Sequence, residues 1–290
     1  HYGSHGTACL DTADGHTIWA RQDFPCNHHR GAGSSPIVVD NLLFLTFDGF
    51  DQQYVVALDK TTGKTVWRRD RNIDYGTDNG DQKKAYGTPT VITADGRPQL
   101  VSPSAGATIA YDPATGEELW KVQHGGMNAA APPLFGQGLI FANTGDGGFK
   151  QFAVRPGGQG DITESHVAWK FQQGVPSRCA PLLIDDLLYM LNEAGIVTCL
   201  DAKTGKVVWK HRLGGNFSSS PLYAEGHLYF NGEDGASHVI AAGRKFKLLA
   251  TNHLDAGCMA TPAIAGKAIF HRTKTHLYRI EEQSRAAAGE

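Results

Sequence analysis

One spacing recurs four times in this chain and constrains its fold more than any other feature. An apolar residue and an Asp are followed four residues later by Gly and, after four more, by Trp. The copies are Leu10-Asp11 with Gly15 and Trp19, Leu58-Asp59 with Gly63 and Trp67, Tyr111-Asp112 with Gly116 and Trp120, and Leu200-Asp201 with Gly205 and Trp209. Each reads as a hairpin. Alternation before the Asp, as in Tyr54-Val55-Val56-Ala57-Leu58, is a strand pattern. The Asp carboxylate can accept backbone N–H groups of the turn, and Gly supplies the positive φ that closes it. The Trp then stands on a second strand, where a large ring can fill the wedge between neighbouring sheets.

A second landmark alternates with the first: a small or hydroxyl residue, Pro, then an apolar strand. It occurs at Ser35-Pro36, Thr88-Pro89, Ala131-Pro132, Ala180-Pro181, Ser220-Pro221 and Thr261-Pro262. Pro is permitted at a strand's first residue because no ladder donor is lost there. A further apolar strand follows most of these. One unit is therefore four antiparallel strands ending in Trp. Trp67, Trp120, Trp169 and Trp209 fall 53, 49 and 40 residues apart, a period that matches a propeller blade. The expectation is an all-β β-propeller of four-stranded antiparallel blades, about six to seven in this chain, forming a single domain over residues 1–290.

Three units break the pattern. The one ending at Trp169 replaces its tight turn with a longer loop, 155–167. The next-to-last, ending near Leu249, lacks both Asp and Trp. The last stops at Leu277-Tyr278-Arg279-Ile280 without a fourth strand. The strand His16 to Gln22 is expected to complete that last sheet. The strand Gly6 to Leu10 would then duplicate a place already filled, which predicts truncation at the N-terminal side.

Bulk properties narrow the function. A net charge of −2 offers no electrostatic footprint for nucleic acid. No apolar run reaches the length of a transmembrane segment, and no signal peptide is visible. The 35 glycines fit a turn-rich architecture. Five separated cysteines without a C-x-x-C pair predict neither a disulfide framework nor a zinc site.

With the repeat written as A-x-D-x-x-T-G-x-x-x-W, the chain resembles the PQQ-type propeller family. That family includes quinoprotein dehydrogenases and the outer-membrane assembly lipoprotein BamB. Segments such as His29-Arg30-Gly31-Ala32-Gly33-Ser34-Ser35-Pro36 and Gly214-Gly215-Asn216-Phe217-Ser218-Ser219-Ser220-Pro221 are also similar to PQQ-binding-like propellers of planctomycete-type bacteria. The resemblance implies an eight-bladed ring with one or two more blades upstream, and an extracytoplasmic, periplasmic setting.

In a propeller the residues before each innermost strand converge near the axis. His29, Arg30, Tyr86, Asn128, Arg178, Asn216 and Phe217 are therefore the candidate ligand-binding residues of a channel face. No catalytic residue is assigned. Quinoprotein chemistry, as the resemblance implies it, needs calcium ligands, an Asp base, a Trp platform and often a Cys-Cys ring. The sequence has no Cys-Cys pair, its Trp residues are all read as outer-strand residues of the repeat, and the pre-Pro segments hold no acid. PQQ with calcium is thus not the favoured cofactor, and no metal site is assigned. The Asp70, Asp74, Asp78, Asp81 stretch lacks calcium-loop spacing, and His28-His29 would point to opposite faces of a strand. The favoured function is a non-catalytic, monomeric module that binds a protein partner or a small ligand. The alternatives are a PQQ-dependent oxidoreductase with an atypical site and an assembly scaffold like BamB.

Overall fold

The computed structural model describes residues 1–282. Residues 283–290, the end of the expected domain, lie outside the described residues. The chain forms two compact units, residues 1–177 with 202–205 and residues 178–201 with the chain from 206 onward. Both are built of β-propeller blades.

The first unit opens with β1 (Thr7–Leu10) and β2 (Thr17–Arg21), which pair only with each other. The next blade runs β3 (Ile37–Val39), β4 (Leu42–Asp48), β5 (Gln53–Asp59) and β6 (Thr65–Asp70) in sequence order. The third sheet holds β7 (Thr90–Ala94), β8 (Arg97–Pro103), β9 (Ala107–Tyr111) and β10 (Glu118–Gln123). The fourth begins with β11 (Leu134–Gly136), β12 (Leu139–Asn143) and β13 (Gln151–Val154). Its long loop carries β14 (Gly160–Asp161) and one helical turn, α1 (Thr163–His166), before β15 (Val167–Phe171) closes the sheet. β14 pairs in parallel with β10, so this loop becomes a fifth strand of the preceding blade.

In the second unit the blades are β16 (Leu182–Ile184) to β17 (Leu187–Leu191), β18 (Ile196–Asp201) and β19 (Val207–Arg212), then β20 (Leu222–Ala224), β21 (His227–Asn231), β22 (Ala236–Ala241) and β23 (Leu248–His253). A three-stranded sheet of β24 (Ala263–Ala265), β25 (Ala268–Arg272) and β26 (Leu277–Glu281) follows. The expectation that residues 16–22 complete this last sheet is corrected: that strand is β2, hydrogen-bonded to β1 alone. Its hairpin turn is tight enough to hold the strand locally. Among the described residues there are seven sheets, and no helix is long and apolar enough to cross a membrane.

The core lies between blades. Successive residues of a strand face opposite sides of a sheet. Tyr54, Val56 and Leu58 of β5 join Leu43, Leu45 and Phe47 of β4 in one cluster, against Trp19. Val55 and Ala57 face the other way and meet Leu100, Ile109 and Tyr111 of the next blade. Both faces are buried, so the middle strands are mainly apolar, with single buried polar residues such as Thr46 in β4, Thr108 in β9 and Thr198 in β18.

The residue opposite each Trp across the hairpin is small: Cys9 for Trp19, Ala57 for Trp67, Ala110 for Trp120, Ala153 for Trp169 and Cys199 for Trp209. In the blade that lacks Trp, Ala250 faces the larger Val239.

The Trp also reaches the next turn along the chain. Trp19 Nε1 donates to the Lys60 carbonyl at 2.9 Å, and Trp169 Nε1 to that of Ala202 at 2.9 Å. Within the turns, Asp59 Oδ1 accepts the N–H groups of Thr61 and Thr62, and Asp112 Oδ1 those of Ala114 and Thr115. The Thr61 hydroxyl leads the contacts that hold the Asp59 carboxyl well below the usual carboxylate range.

Candidate functional site

The residues ahead of three inner strands tie neighbouring blades together. Ser35 N–H donates to Thr88 Oγ1 at 2.9 Å. In the second unit Ala180 N–H donates to Ser220 Oγ at 2.9 Å, and Ser220 N–H to Thr261 Oγ1 at 3.0 Å. Each donor is the residue before Pro, and each acceptor is the hydroxyl at the same place in the next repeat. Pro fixes the turn into the strand, and the preceding N–H finds its partner outside its own sheet.

The seven candidate residues occupy these segments with unequal exposure. His29 is exposed with φ 60°, and its ring lies 5.2 Å from that of Phe50. Arg30 beside it is exposed. Their charges reach Asp81, whose carboxyl is held low first by its hydrogen bond to Lys84. Tyr86 is half-buried against Gly33, and its N–H donates to the Ala129 carbonyl at 2.8 Å. Asn128, with φ 60°, returns its N–H to the Lys84 carbonyl at 2.8 Å. Tyr86 and Asn128 are thereby brought together. In the second unit Arg178 and Asn216 are exposed. Phe217 is buried in the core and packs against Gly195. The His28-His29 pair lies in irregular chain rather than on a strand, and His28 packs against Phe47.

Sequence reasoning missed the acids that clasp these segments. They come from the loop after the second strand of four blades. Asp51 Oδ1 accepts the Asn27 N–H at 2.8 Å. Asp146 Oδ2 accepts Asn128 Nδ2 at 3.0 Å. Glu193 Oε1 accepts the Arg178 N–H at 3.0 Å, and its carbonyl accepts that of Phe217 at 3.1 Å. Glu233 accepts the Ser218 hydroxyl, and its own N–H donates to the Asn216 carbonyl. A signal was present: an apolar strand ending in Asp or Asn and then reaching Gly within three residues, at Asp48-Gly49, Asn143 to Gly145, Asn192 to Gly195 and Asn231-Gly232.

Behind the loops of the first unit lies a buried ion pair. Arg71 donates Nε and Nη2 to Asp48 at 3.0 and 2.7 Å, both side chains being at most 2% exposed. Ser104 Oγ adds a third donor to Asp48 at 3.1 Å. Burial opposes the guanidinium charge, but the Asp48 carboxylate outweighs it and holds the Arg71 pKa above its ordinary value. Such two-point pairing is what a fully desolvated charge requires.

Burial keeps several further groups in their neutral forms. Burial pushes the Cys26, Cys179 and Cys199 thiols up to about 12. His124 is driven down to about 4 by burial. Its Nδ1 lies 2.6 Å from the Gly125 carbonyl and its Nε2 3.0 Å from Thr108 Oγ1. The Gly125 carbonyl can only accept, so Nδ1 carries the proton, and the ring that burial keeps neutral accepts from the Thr108 hydroxyl at Nε2. Asp11, Asp14 and His16 cluster in the exposed β1–β2 turn, where Asp11 and Asp14 cap backbone N–H groups and Asp14 holds His16 at 2.7 Å.

Residues 51–287 match the family model of the outer membrane protein assembly factor BamB. The chain belongs to this family. It is 22% identical to BamB of Legionella pneumophila over 240 residues, 82% of this chain and 48% of that protein. It is 24% identical to the tetrathionate hydrolase of Acidithiobacillus ferrooxidans over 211 residues, 68% of this chain and 39% of that protein. The chain thus spans about half or less of the curated relatives it matches. Among solved structures, BamB from Moraxella catarrhalis superposes with a TM-score of 0.69 at 12% identity, over 93% of this chain and 76% of that one. A quinohemoprotein alcohol dehydrogenase from Pseudomonas putida HK5 follows at 0.59 and 14%, over 91% and 60%. These two likenesses establish the propeller fold that BamB-family members share with quinoproteins.

Proposed function

We propose that this chain is part of a non-catalytic, periplasmic propeller of the BamB family that works as a binding scaffold for a protein partner. The observation that carries the reading is the clasp. The pre-proline segments, where a propeller enzyme would gather its chemistry, engage their backbone groups with loop acids and neighbouring blades. The acids nearest them are hydrogen-bond acceptors for main chain, Asn and Ser, which gives them an architectural role. Exposed side chains such as Arg178 and Asn216 remain for a macromolecular surface.

PQQ with calcium fits these residues poorly. A planar quinone needs an open aromatic platform, and the five tryptophans are already engaged. Trp19, Trp67 and Trp169 lie against the glycines of neighbouring turns, Trp209 donates to the Gly243 carbonyl against Phe246, and Trp120 is buried and donates to Gln99. Fold likeness to a quinoprotein therefore gives no reason to route chemistry through that cofactor.

The test uses the full-length gene product in its own envelope. A photo-crosslinking residue placed at Arg178 or Asn216 should capture one membrane-associated protein at near-equal stoichiometry. A thermal shift with PQQ and calcium runs beside it. Ligand at a hundred times its Kd would stabilise the fold by about 2.7 kcal/mol, and a shift of that size would overturn the scaffold reading.

A further inference from the structure

The first unit contains a cavity of about 430 Å³ that the scaffold role leaves unused. It is formed by three stretches of chain: the connection after β6, the β8–β9 turn with the end of β10, and the loop after β12. Its volume suits a small organic ligand rather than a bare ion.

Three features define what would fit. The first is an excess of acceptors. Asp74 uses Oδ1 on the Gly76 N–H, and Asp146 uses Oδ2 on Asn128, which leaves each carboxylate a second oxygen. Gln123 uses its Nε2 on Asp161, which leaves its carbonyl oxygen. Gln82 adds an exposed carboxamide. No basic side chain is among the lining residues. Lys83 rests over the Tyr75 ring, 5.9 Å from its centroid, and is not part of the lining.

The second feature is the Tyr75 wall. Its hydroxyl is buried, while the ring borders the cavity. The ring gives that side of the cavity an apolar wall. The third is a floor of backbone. Gly106 N–H donates to the Gly126 carbonyl at 2.9 Å, and Gly125 N–H to that of Gly106 at 2.9 Å. A Cβ at Gly126 would stand 2.9 Å from the Asp146 carbonyl oxygen. The glycines let two loops close on each other without side chains filling the space above.

We infer that this cavity binds an amino sugar. The free oxygens need hydroxyl and ammonium donors. Two carboxylates without a lining cation favour a positive ligand and reject phosphorylated or carboxylated ones. The Tyr75 face suits the C–H face of a pyranose ring. The inference shares Asp146 with the clasp but needs only its second oxygen, and its test acts on Asp74 and Gln82, which the partner reading does not use.

Calorimetric titration of the chain with the β-1,4-linked disaccharide of glucosamine tests it. Saturable binding is expected, weakened at least tenfold by Asp74→Asn and measurably by Gln82→Ala. Asn can still cap Gly76, and both positions are exposed, so circular dichroism and thermal midpoints should match the parent. Glucose 6-phosphate should give no heat. The inference is overturned if the disaccharide gives no saturable heat, if Asp74→Asn binds as tightly as the parent, or if spermidine binds equally well, which would reduce the site to charge alone.

Discussion

Trp67 donates its indole N–H to the Pro113 carbonyl at 2.8 Å and lies with its ring against Gly116 of the same turn. The glycine of the repeat thus does two things. It takes the positive φ of its own hairpin, and it leaves a seat for the Trp of the preceding blade. The motif's Asp, Gly and Trp hold successive blades together, which is why they recur as a set.

This gives a paired prediction. Gly116 has φ +70°, and a Cβ there would stand 2.5 Å from Trp67 Cδ2. Gly15 has φ +78° with open space around it. Gly15→Ala should cost only the left-handed backbone term, about 1 kcal/mol. Gly116→Ala adds overpacking of the indole and should cost about 3 kcal/mol. Urea midpoints of the two variants measure the difference. Equal losses would show that the Trp seat contributes nothing.

Arg71 and Asp48 make the second prediction. Arg71→Met leaves a buried carboxylate with only the Ser104 hydroxyl as side-chain donor and should cost about 3–5 kcal/mol. Replacing Asp48 by Leu in the same chain removes the stranded charge, so the double variant should recover much of the loss. A double variant as unstable as the sum of the singles would mean that the two side chains act independently.

Much of this architecture is legible in the sequence, and the illegible parts share a cause. The Asp, Gly and Trp spacing exposes the hairpins because turn geometry is local. The Ser-Pro and Thr-Pro steps mark the strands that pair hydroxyl to N–H between repeats. Trp120 shows where local pattern stops. Its motif is intact, but the next blade has the long loop at 155–166 instead of a turn, so its indole donates to Gln99 instead. Asp51, Asp146, Glu193 and Glu233 were invisible as clasps because their partners lie 15 or more residues away and their loops vary in length. Phe217 reads as a channel residue from its position before Pro221, yet its bulk is accommodated only by turning into the core over Gly195.

The thiols supply a chemical prediction. With pKa values near 12, Cys26, Cys179 and Cys199 are about one part in ten thousand thiolate at pH 8. Burial raises Cys258 as well, while Cys9 is half-buried. Iodoacetamide on the native chain should therefore label Cys9 alone over minutes, and all five cysteines after unfolding. Peptide mass spectrometry reads the sites. Native labelling of Cys179 at the rate of Cys9 would contradict its burial.

His124 sets how stability depends on acid. Its pKa falls from 6.5 to about 4 in the fold because burial disfavours the charged ring. Between those values the unfolded chain holds more protons than the folded one, so the equilibrium shifts toward unfolding as protons are added. The contribution is whole above pH 6.5 and falls as pH drops toward 4, by about 1.4 kcal/mol per pH unit. The sum is on the order of 3 kcal/mol. Burial lowers His28, His238 and His271 in the same direction, which steepens the fall. Urea midpoints measured from pH 7.5 down to pH 4.5 should decline in the parent, and less steeply in His124→Gln. That variant loses some stability at neutral pH with its bonds to Thr108 and Gly125. A parent whose midpoints stay level across the window would mean that His124 takes up its proton as readily folded as unfolded.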